Sequence, residues 1–482
     1  MMIAEHRHLA EQGAELVELR LDYVVRSINF KRLLENRPCP VIMTCRRAQD
    51  GGRWERSERE RLIVLRSAIA DGVDYIDLEE DTAASIPRFG KTKRIISYHN
   101  FEETPADLRK IHERCASRDA DIVKVATTAN NPHDNLRVLQ LISESEIPTV
   151  ALCMGEMGTP SRILSGKFGA PFTYATFHKD RLLAPGQLSY QEMIETYRYD
   201  EIGADTEVYG VIADPVGHSL SPAVHNAAFR ELGMDRVYLP FRVPREHLEQ
   251  FLSDCRQLGV AGLSVTIPHK EAVVPFLTNN QAAVESTGAA NTVVFDGFDN
   301  IGHNTDFLAS LESLDGTLTR GKHFDTDTRR TALILGAGGA ANAVALALTH
   351  RNIGIYVTSR TRERADVVAA RFRGKAVDWD DRHRVRSDIL VNCTPVGMHP
   401  NVNESPFERD ELSRAMIVFD TIYNPEQTLL LKAARDKGAT VVTGVDMFVR
   451  QAGYQFKLFT GTNSPEEVMR AAVKKSISAA KG

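Results

Sequence analysis

The sequence predicts an α/β protein in two parts. An N-terminal barrel of the (β/α)8 type, its first strand missing, is followed by a two-domain α/β region that includes a dinucleotide-binding fold. Three observations predict this. Over the first two hundred residues, short apolar runs alternate with amphipathic stretches, the pattern of a parallel sheet with helical crossovers. Further on, the apolar run Thr331–Leu335 enters Gly336-Ala337-Gly338-Gly339-Ala340 and then an alanine-rich stretch to His350, a strand–turn–helix suited to a nucleotide. At 482 residues the chain exceeds one ordinary domain.

The N-terminal strands are predicted at Leu16–Leu21, Pro40–Cys45, Tyr75–Leu78, Arg94–Tyr98, Ile122–Val125, Thr149–Cys153 and Phe172–Thr176. Helical patterns separate them, as at Glu58–Ala70 and Asn135–Ser143, and a further helix opens the chain at Ile3–Gly13. That is seven strands where a closed barrel has eight. The expectation is a gap between Leu16–Leu21 and Phe172–Thr176, with the absent strand encoded upstream of Met1. Thr196–Glu207 is polar and reads as a linker. Val208–Ile212 starts a new pattern, with helices at Pro222–Leu232 and Glu246–Leu258. Arg320–Arg330, charged and threonine-rich, marks a second boundary. Ile355–Thr358 is the next strand, and Gly444 to Lys475 reads as two helices with Phe448, Phe456 and Phe459 packing inward. The domains are thus 1–200, 207–318 completed by helices at 445–482, and 319–444.

Composition removes several classes. A net charge of -5 leaves no nucleic-acid footprint. The arginines between Arg53 and Arg66 interleave with glutamates and read as a solvated helix face. The six cysteines form no CxxC and read as free thiols of a reducing, cytoplasmic setting. The histidines show no metal spacing, and His6 and His8 read as exposed. No apolar run reaches membrane-spanning length.

In a parallel barrel the strand C-termini face one mouth. There stand Glu18, Arg20, Arg46, Glu79, His99 and Lys124. A lysine inside Asp121-Ile122-Val123-Lys124-Val125-Ala126 is desolvated, and burial turns an amine into a nucleophile toward carbonyls. His99 is placed to move protons. These segments, with Ser161-Arg162-Ile163-Leu164 and Ala184-Pro185-Gly186-Gln187, resemble type I 3-dehydroquinate dehydratase from about Gly13 to Tyr199. The resemblance implies a Schiff base between Lys124 and the C3 ketone. It makes His99 the base at C2 and Glu79 its orienting partner. Arg162 would pair with the substrate carboxylate, and Glu18, Arg20, Arg46 and Gln187 would hold ring and hydroxyls. Leu183 stands where the family has a serine.

In the second part, Ser219 and Ser221 lie two apart, on one face of an extended segment, and suit a carboxylate. Ser221 before Pro222 also reads as a helix N-cap. Lys270, after Pro268, and Asp306 can form a lysine–aspartate pair that supplies a proton while hydride arrives from a cofactor. After the second strand of the nucleotide fold come Ser359-Arg360-Thr361-Arg362-Glu363-Arg364, where arginines favour NADP over NAD. With Gly288–Thr292, Asn304–Asp306, Asn392–Met398, Tyr423-Asn424-Pro425 and Gln451-Ala452, this part resembles shikimate dehydrogenase with a Rossmann NADP domain. The resemblance implies catalysis by Lys270 and Asp306. Shikimate would be held by Ser219, Ser221, Thr266, Asn291, Tyr423 and Gln451. NADP would lie on Gly336, Gly338, Gly339, Ala340, Ser359, Arg360, Thr361, Arg364, Thr394, Met398, Gly444 and Met447. Ser264 stands where many bacterial members have asparagine.

The product implied for the first part, 3-dehydroshikimate, is the substrate implied for the second. A bifunctional enzyme working on 3-dehydroquinate, 3-dehydroshikimate and shikimate is the expectation. The alternative is a shikimate/quinate dehydrogenase carrying an impaired barrel.

Overall fold

The computed structural model describes residues 2–25, 27–178, 186–318 and 330–479. Leu183, Ala184 and Pro185, and most of the boundary at 320–330, lie outside the described residues. The chain divides into two compact units. The first is Met1–Thr206 with Phe241–Val243 and Gln250–Leu258, and the second holds the remainder of Glu207–Gly482.

The first unit carries six parallel strands in sequence order: β1 (Val17–Arg20), β2 (Val41–Thr44), β3 (Tyr75–Glu79), β4 (Lys93–His99), β5 (Ile122–Thr128) and β6 (Thr149–Met154). Helices cross between them, including Glu58–Ala70, whose Ser57 and Glu60 form a reciprocal capping box. The predicted strand at Phe172–Thr176 does not form among the described residues. Its backbone makes one isolated bridge, Thr176 to Ser189, while Phe172 and Tyr174 pack as apolar lining over Ile42, Ile95, Ile122 and Val150. The apolar side chains that suggested a strand serve the core without a ladder.

Other expectations shift with packing. Arg61 lies on the helix read as solvated, yet it is fully buried, because it reaches Glu79 and Thr82. His6 is buried against the Cys39 thiol at 3.2 Å, not exposed. The predicted linker is fastened down. Tyr199 hydrogen-bonds Ser165 at 3.0 Å, and Lys167 Nζ donates to the carbonyls of Ala204 and Thr206.

The second unit holds two six-stranded sheets. The first orders β7 (Glu207–Ala213), β8 (Arg236–Arg242), β9 (Val260–Val265), β10 (Asn279–Asn280), β11 (Thr292–Asp296) and β12 (Asp299–His303) as β10-β12-β11-β9-β7-β8. The second is parallel throughout. It contains β13 (Thr331–Leu335), β14 (Gly354–Thr358), β15 (Lys375–Val377), β16 (Ile389–Asn392), β17 (Ile417–Asp420) and β18 (Thr440–Val442), ordered β15-β14-β13-β16-β17-β18. That order reverses between β13 and β16, and the crevice at such a reversal is where nucleotides bind. The C-terminal helices Gly444–Thr460 and Glu466–Ala479 return to the first sheet. Phe448, Phe456, Phe459, Met469 and Val473 share one core with Tyr209, Val211 and Phe229. No helix among the described residues is long and apolar enough to cross a membrane.

Candidate functional site

In the first unit the strand alternation lines up Glu18, Thr44, Asp77, Glu79, Ser97 and Lys124, and hydrogen bonds join them. Thr44 donates to Glu18 at 2.6 Å. Arg46, just past β2, reaches Asp77 at 2.8 Å, Glu79 at 2.9 Å and Ser97 at 3.0 Å. Ser97 donates to Asp77 at 2.6 Å, and Lys124 Nζ to its other oxygen at 3.0 Å. Lys124 is mid-strand rather than terminal, because β5 runs on to Thr128. It is buried, but not the bare amine the sequence suggests, since Asp77 and the face of Tyr174, 4.0 Å from Nζ, surround it. Burial pulls the Asp77 carboxyl up. Arg46, Lys124, His99 and the Ser97 hydroxyl together outweigh that and hold it far below the carboxylate range.

His99 ends β4. Burial, then the positive Arg46 and Lys124, hold its imidazole well below the ordinary histidine range, against the pull of Asp77. The imidazole is neutral at pH 7 and can accept a proton. The expected bond from Glu79 to His99 is not formed. Both Glu79 oxygens are taken by arginines, Arg46 at one and Arg61 at the other, and His99 Nδ1 is buried without a partner. Arg20 forks onto Asp22 at 2.9 and 2.8 Å. Arg162 is buried with no carboxylate beside it among the described residues, and its Nε lacks a partner. Burial pushes its guanidinium down to about 10, which leaves it charged at neutral pH. A buried, unpaired cation is costly unless an anion arrives. Gln187 follows Gly186, whose backbone φ of +70° and close approach to the Gly155 carbonyl exclude any side chain.

In the second unit one cavity of 520 Å³ gathers every expected residue except Thr361. Ser219, Ser221, Thr266, Asn291, Tyr423 and Gln451 line it, and Lys270 meets Asp306 at 2.5 Å. Ser221 is not an N-cap. It is the first residue of the helix Ser221–Glu231, and the Ser219 hydroxyl accepts its N–H at 3.3 Å. Asn291 is pinned by Thr305, whose backbone N–H donates to its Oδ1 at 2.8 Å. Thr361 lies outside the cavity as N-cap residue of the helix Arg362–Arg371.

The nucleotide end fits a dinucleotide carrying an extra phosphate. Gly336, at φ +111°, brings the turn so close to the Cys393 carbonyl that a Cβ would lie 2.8 Å from it. The helix Gly339–His350 starts without a side-chain cap, which leaves its first amides for an anion. A Cβ on Gly339 would lie 3.0 Å from Lys270 Cδ, so the turn lies directly against that lysine. Of the three arginines after β14, Arg362 is spent on Asp366 and Asp378. Arg360 and Arg364 line the cavity and pair with no carboxylate among the described residues.

Sequence reasoning missed Asp77, Ser97, Tyr174 and Gln455. The first two were findable: Asp77 shares the inward face with Glu79, and Ser97 sits beside both Glu79 and Lys124 in register. Gln455, four residues after Gln451, lines the same cavity and accepts a hydrogen bond from the Ser264 hydroxyl at 2.9 Å.

Comparison with known proteins gives each unit a family. Residues 1–204 match type I 3-dehydroquinase. Residues 211–293 match the shikimate dehydrogenase substrate-binding domain, 320–426 the shikimate/quinate 5-dehydrogenase family, and 444–474 the shikimate 5'-dehydrogenase C-terminal domain. The bifunctional 3-dehydroquinate dehydratase/shikimate dehydrogenase, chloroplastic, of Arabidopsis thaliana is 38% identical over 491 residues, covering 97% of this chain and 81% of its own. The NADP(+) shikimate dehydrogenase of Methanopyrus kandleri is 43% identical, covering 56% of this chain and 96% of its own. The Thermus thermophilus shikimate 5-dehydrogenase solved with NADP(H) and shikimate superposes with a TM-score of 0.51. It is 32% identical, over 56% of this chain and 99% of that one. The chain belongs to the family of bifunctional 3-dehydroquinate dehydratase/shikimate dehydrogenases.

Proposed function

We propose that the two sites carry out consecutive reactions of the shikimate pathway, with roles set by the geometry around each lysine. In the first unit, Lys124 attacks the C3 ketone of 3-dehydroquinate and loses water to give an iminium. The Asp77 carboxylate, 3.0 Å from Nζ, stabilises that positive charge. His99, neutral and beside the lysine, takes the C2 proton. It returns it to the C1 hydroxyl, which departs as water, and hydrolysis of the imine frees 3-dehydroshikimate. Arg162 holds the substrate carboxylate, and Glu18, Arg20, Arg46 and Gln187 contact the ring. Glu79 fixes Arg46 and Arg61 rather than His99.

In the second unit, NADPH supplies hydride to the ketone of 3-dehydroshikimate. Gly336–Ala340 take its pyrophosphate, Arg360 and Arg364 its 2'-phosphate, and Thr394, Met398, Gly444 and Met447 line the remainder. Lys270 gives the proton to the developing alkoxide, and Asp306 holds Lys270 in place. Ser219, Ser221, Thr266, Asn291, Tyr423 and Gln451 hold shikimate. We read the domains as 1–200, 207–318 with 445–482, and 319–444. The six free thiols fit a reducing compartment, which we take to be the cytoplasm.

The single observation that carries this reading is the burial of Lys124 against Asp77, in one unit with an unpaired buried Arg162. The test is borohydride reduction with 3-dehydroquinate. A covalent adduct is expected on Lys124. Lys124→Ala should lose it together with about three or more orders of magnitude of dehydration rate, while keeping NADPH oxidation with 3-dehydroshikimate. Lys270→Ala should do the reverse. An adduct on another lysine would overturn the assignment. The second reading, a shikimate/quinate dehydrogenase with an impaired barrel, draws on the edge strands β1 and β6, which have no outer partner among the described residues. It predicts no trapped adduct at all. A quinate dehydrogenase from Corynebacterium glutamicum is 30% identical over 56% of this chain, so quinate belongs among the substrates assayed.

A further inference from the structure

Among the described residues of the first unit, four buried polar atoms have no hydrogen-bond partner: Arg94 Nε, His99 Nδ1, Arg162 Nε and Tyr174 Oη. Arg94 is otherwise engaged, its terminal nitrogens donating to the carbonyls of Ile86, Ala83 and Arg118. His99 and Arg162 have roles in the reaction proposed above. Tyr174 has none.

Its ring is held firmly. Ala126, Leu152 and Met154 pack against it, Phe172 meets it at 5.7 Å, and Lys124 Nζ stands over its face at 4.0 Å. The hydroxyl therefore lies just beyond the edge of the ring whose face the amine covers. In the same interior Thr44 donates to Glu18, and Arg46, Ser97 and Lys124 engage Asp77, while the phenol reaches neither carboxylate. A buried hydroxyl left unpaired is costly, and an unsatisfied group beside a reactive amine is explained when a ligand completes it.

We propose that Tyr174 is a further substrate-binding residue of the dehydratase site, its phenol donating a hydrogen bond to a hydroxyl of the cyclic polyol held as an imine on Lys124. The inference rests on the Schiff-base reading of that site. Burial, then the carboxylates of Glu18 and Asp77, raise the phenol well above its ordinary range, so it stays protonated and serves as a donor. The ring face steadies the amine by a cation–π contact, while the hydroxyl reads an oxygen on the carbon next to the imine carbon.

Tyr174→Phe keeps the ring and deletes only the donor. With 3-dehydroquinate it should raise KM about three- to tenfold. At saturating substrate it should leave borohydride trapping on Lys124 intact, and the shikimate dehydrogenase rate should be unchanged. An unchanged KM overturns the proposal, and so does loss of trapping at saturation, which would mean that the phenol acts on the lysine. A wild-type chain that is not trapped on Lys124 defeats the Schiff-base reading instead. Independently of how the phenylalanine variant folds, 3-fluorotyrosine placed at 174 should show a fluorine resonance that moves when 3-dehydroshikimate saturates the site. A resonance that stays put overturns the proposal.

Discussion

Lys124 and Lys270 each stand against one aspartate, at 3.0 and 2.5 Å, yet the two pairs live in different surroundings. Asp77 is shared among Lys124, Arg46 and Ser97, and its side chain is wholly buried. Asp306 serves Lys270 at the wall of an open cavity, and that lysine keeps 18% of its side-chain exposure. The first site, Arg162 excepted, pairs its charges with one another before any ligand arrives. The second leaves Arg360 and Arg364 unspent. On the proposed reading, the lysine that becomes covalently bound to substrate is set among buried ion pairs, and the lysine that passes a proton is set beside space for a large anion.

Neutralising each aspartate tests that contrast most severely. Asp77→Asn should destabilise the first unit by about 3–5 kcal/mol, because it strands Lys124 as a buried charge and leaves Arg46 with Glu79 alone. Asp306→Asn should cost less, since one partly solvated cation loses one partner. Thermal inactivation followed separately by each activity reads both, and equal losses would break the comparison.

The arginines give the next largest difference. Arg162→Ala should weaken 3-dehydroquinate binding by about 2–5 kcal/mol, seen in KM, because its anion is met in a desolvated place. Arg360→Ala with Arg364→Ala should raise the NADP KM about 10- to 100-fold and narrow the preference over NAD. Dehydration should be untouched. A wild type that uses NAD and NADP equally would undo the reading of those arginines.

The smallest effect lies in pH. Burial and two neighbouring cations lower His99, so it gains its proton only below the ordinary histidine value near 6.5. The base is lost as pH falls through that lowered value. The acid limb of dehydratase kcat/KM should therefore lie below pH 6.5. An inflection at or above 6.5 would show an imidazole that the barrel does not perturb.

Much of this was legible in the chain. The six strands and the glycine turn followed from apolar runs and from the strand–turn–helix pattern, whereas most of the cavity residues came from the resemblance to shikimate dehydrogenase. What was not legible has a common cause. Phe172–Thr176 has strand composition, but packing on the core satisfies it, so pairing was never required. Arg61 looked solvated because helical periodicity does not show that Glu79 waits on a neighbouring strand. Glu79 was read as the partner of His99, and only three-dimensional placement shows two guanidiniums claiming both its oxygens. Charge pairing across strands depends on register, which a one-dimensional pattern does not carry.

The guanidinium of Arg162 stands apart from the ion pairs of the dehydratase interior. Arg20 is answered by Asp22, Arg61 by Glu58 and Glu79, and Arg46 and Lys124 by Asp77, with Glu79 shared and Glu18 close by. Arg162 adds one positive charge that no described carboxylate cancels. A carboxylate that enters beside it gives the cation a partner, and a neutral polyol leaves it without one. On the proposed reading the interior selects for an anionic ligand before any hydroxyl is read, with a residue that need not touch the carbon being deprotonated.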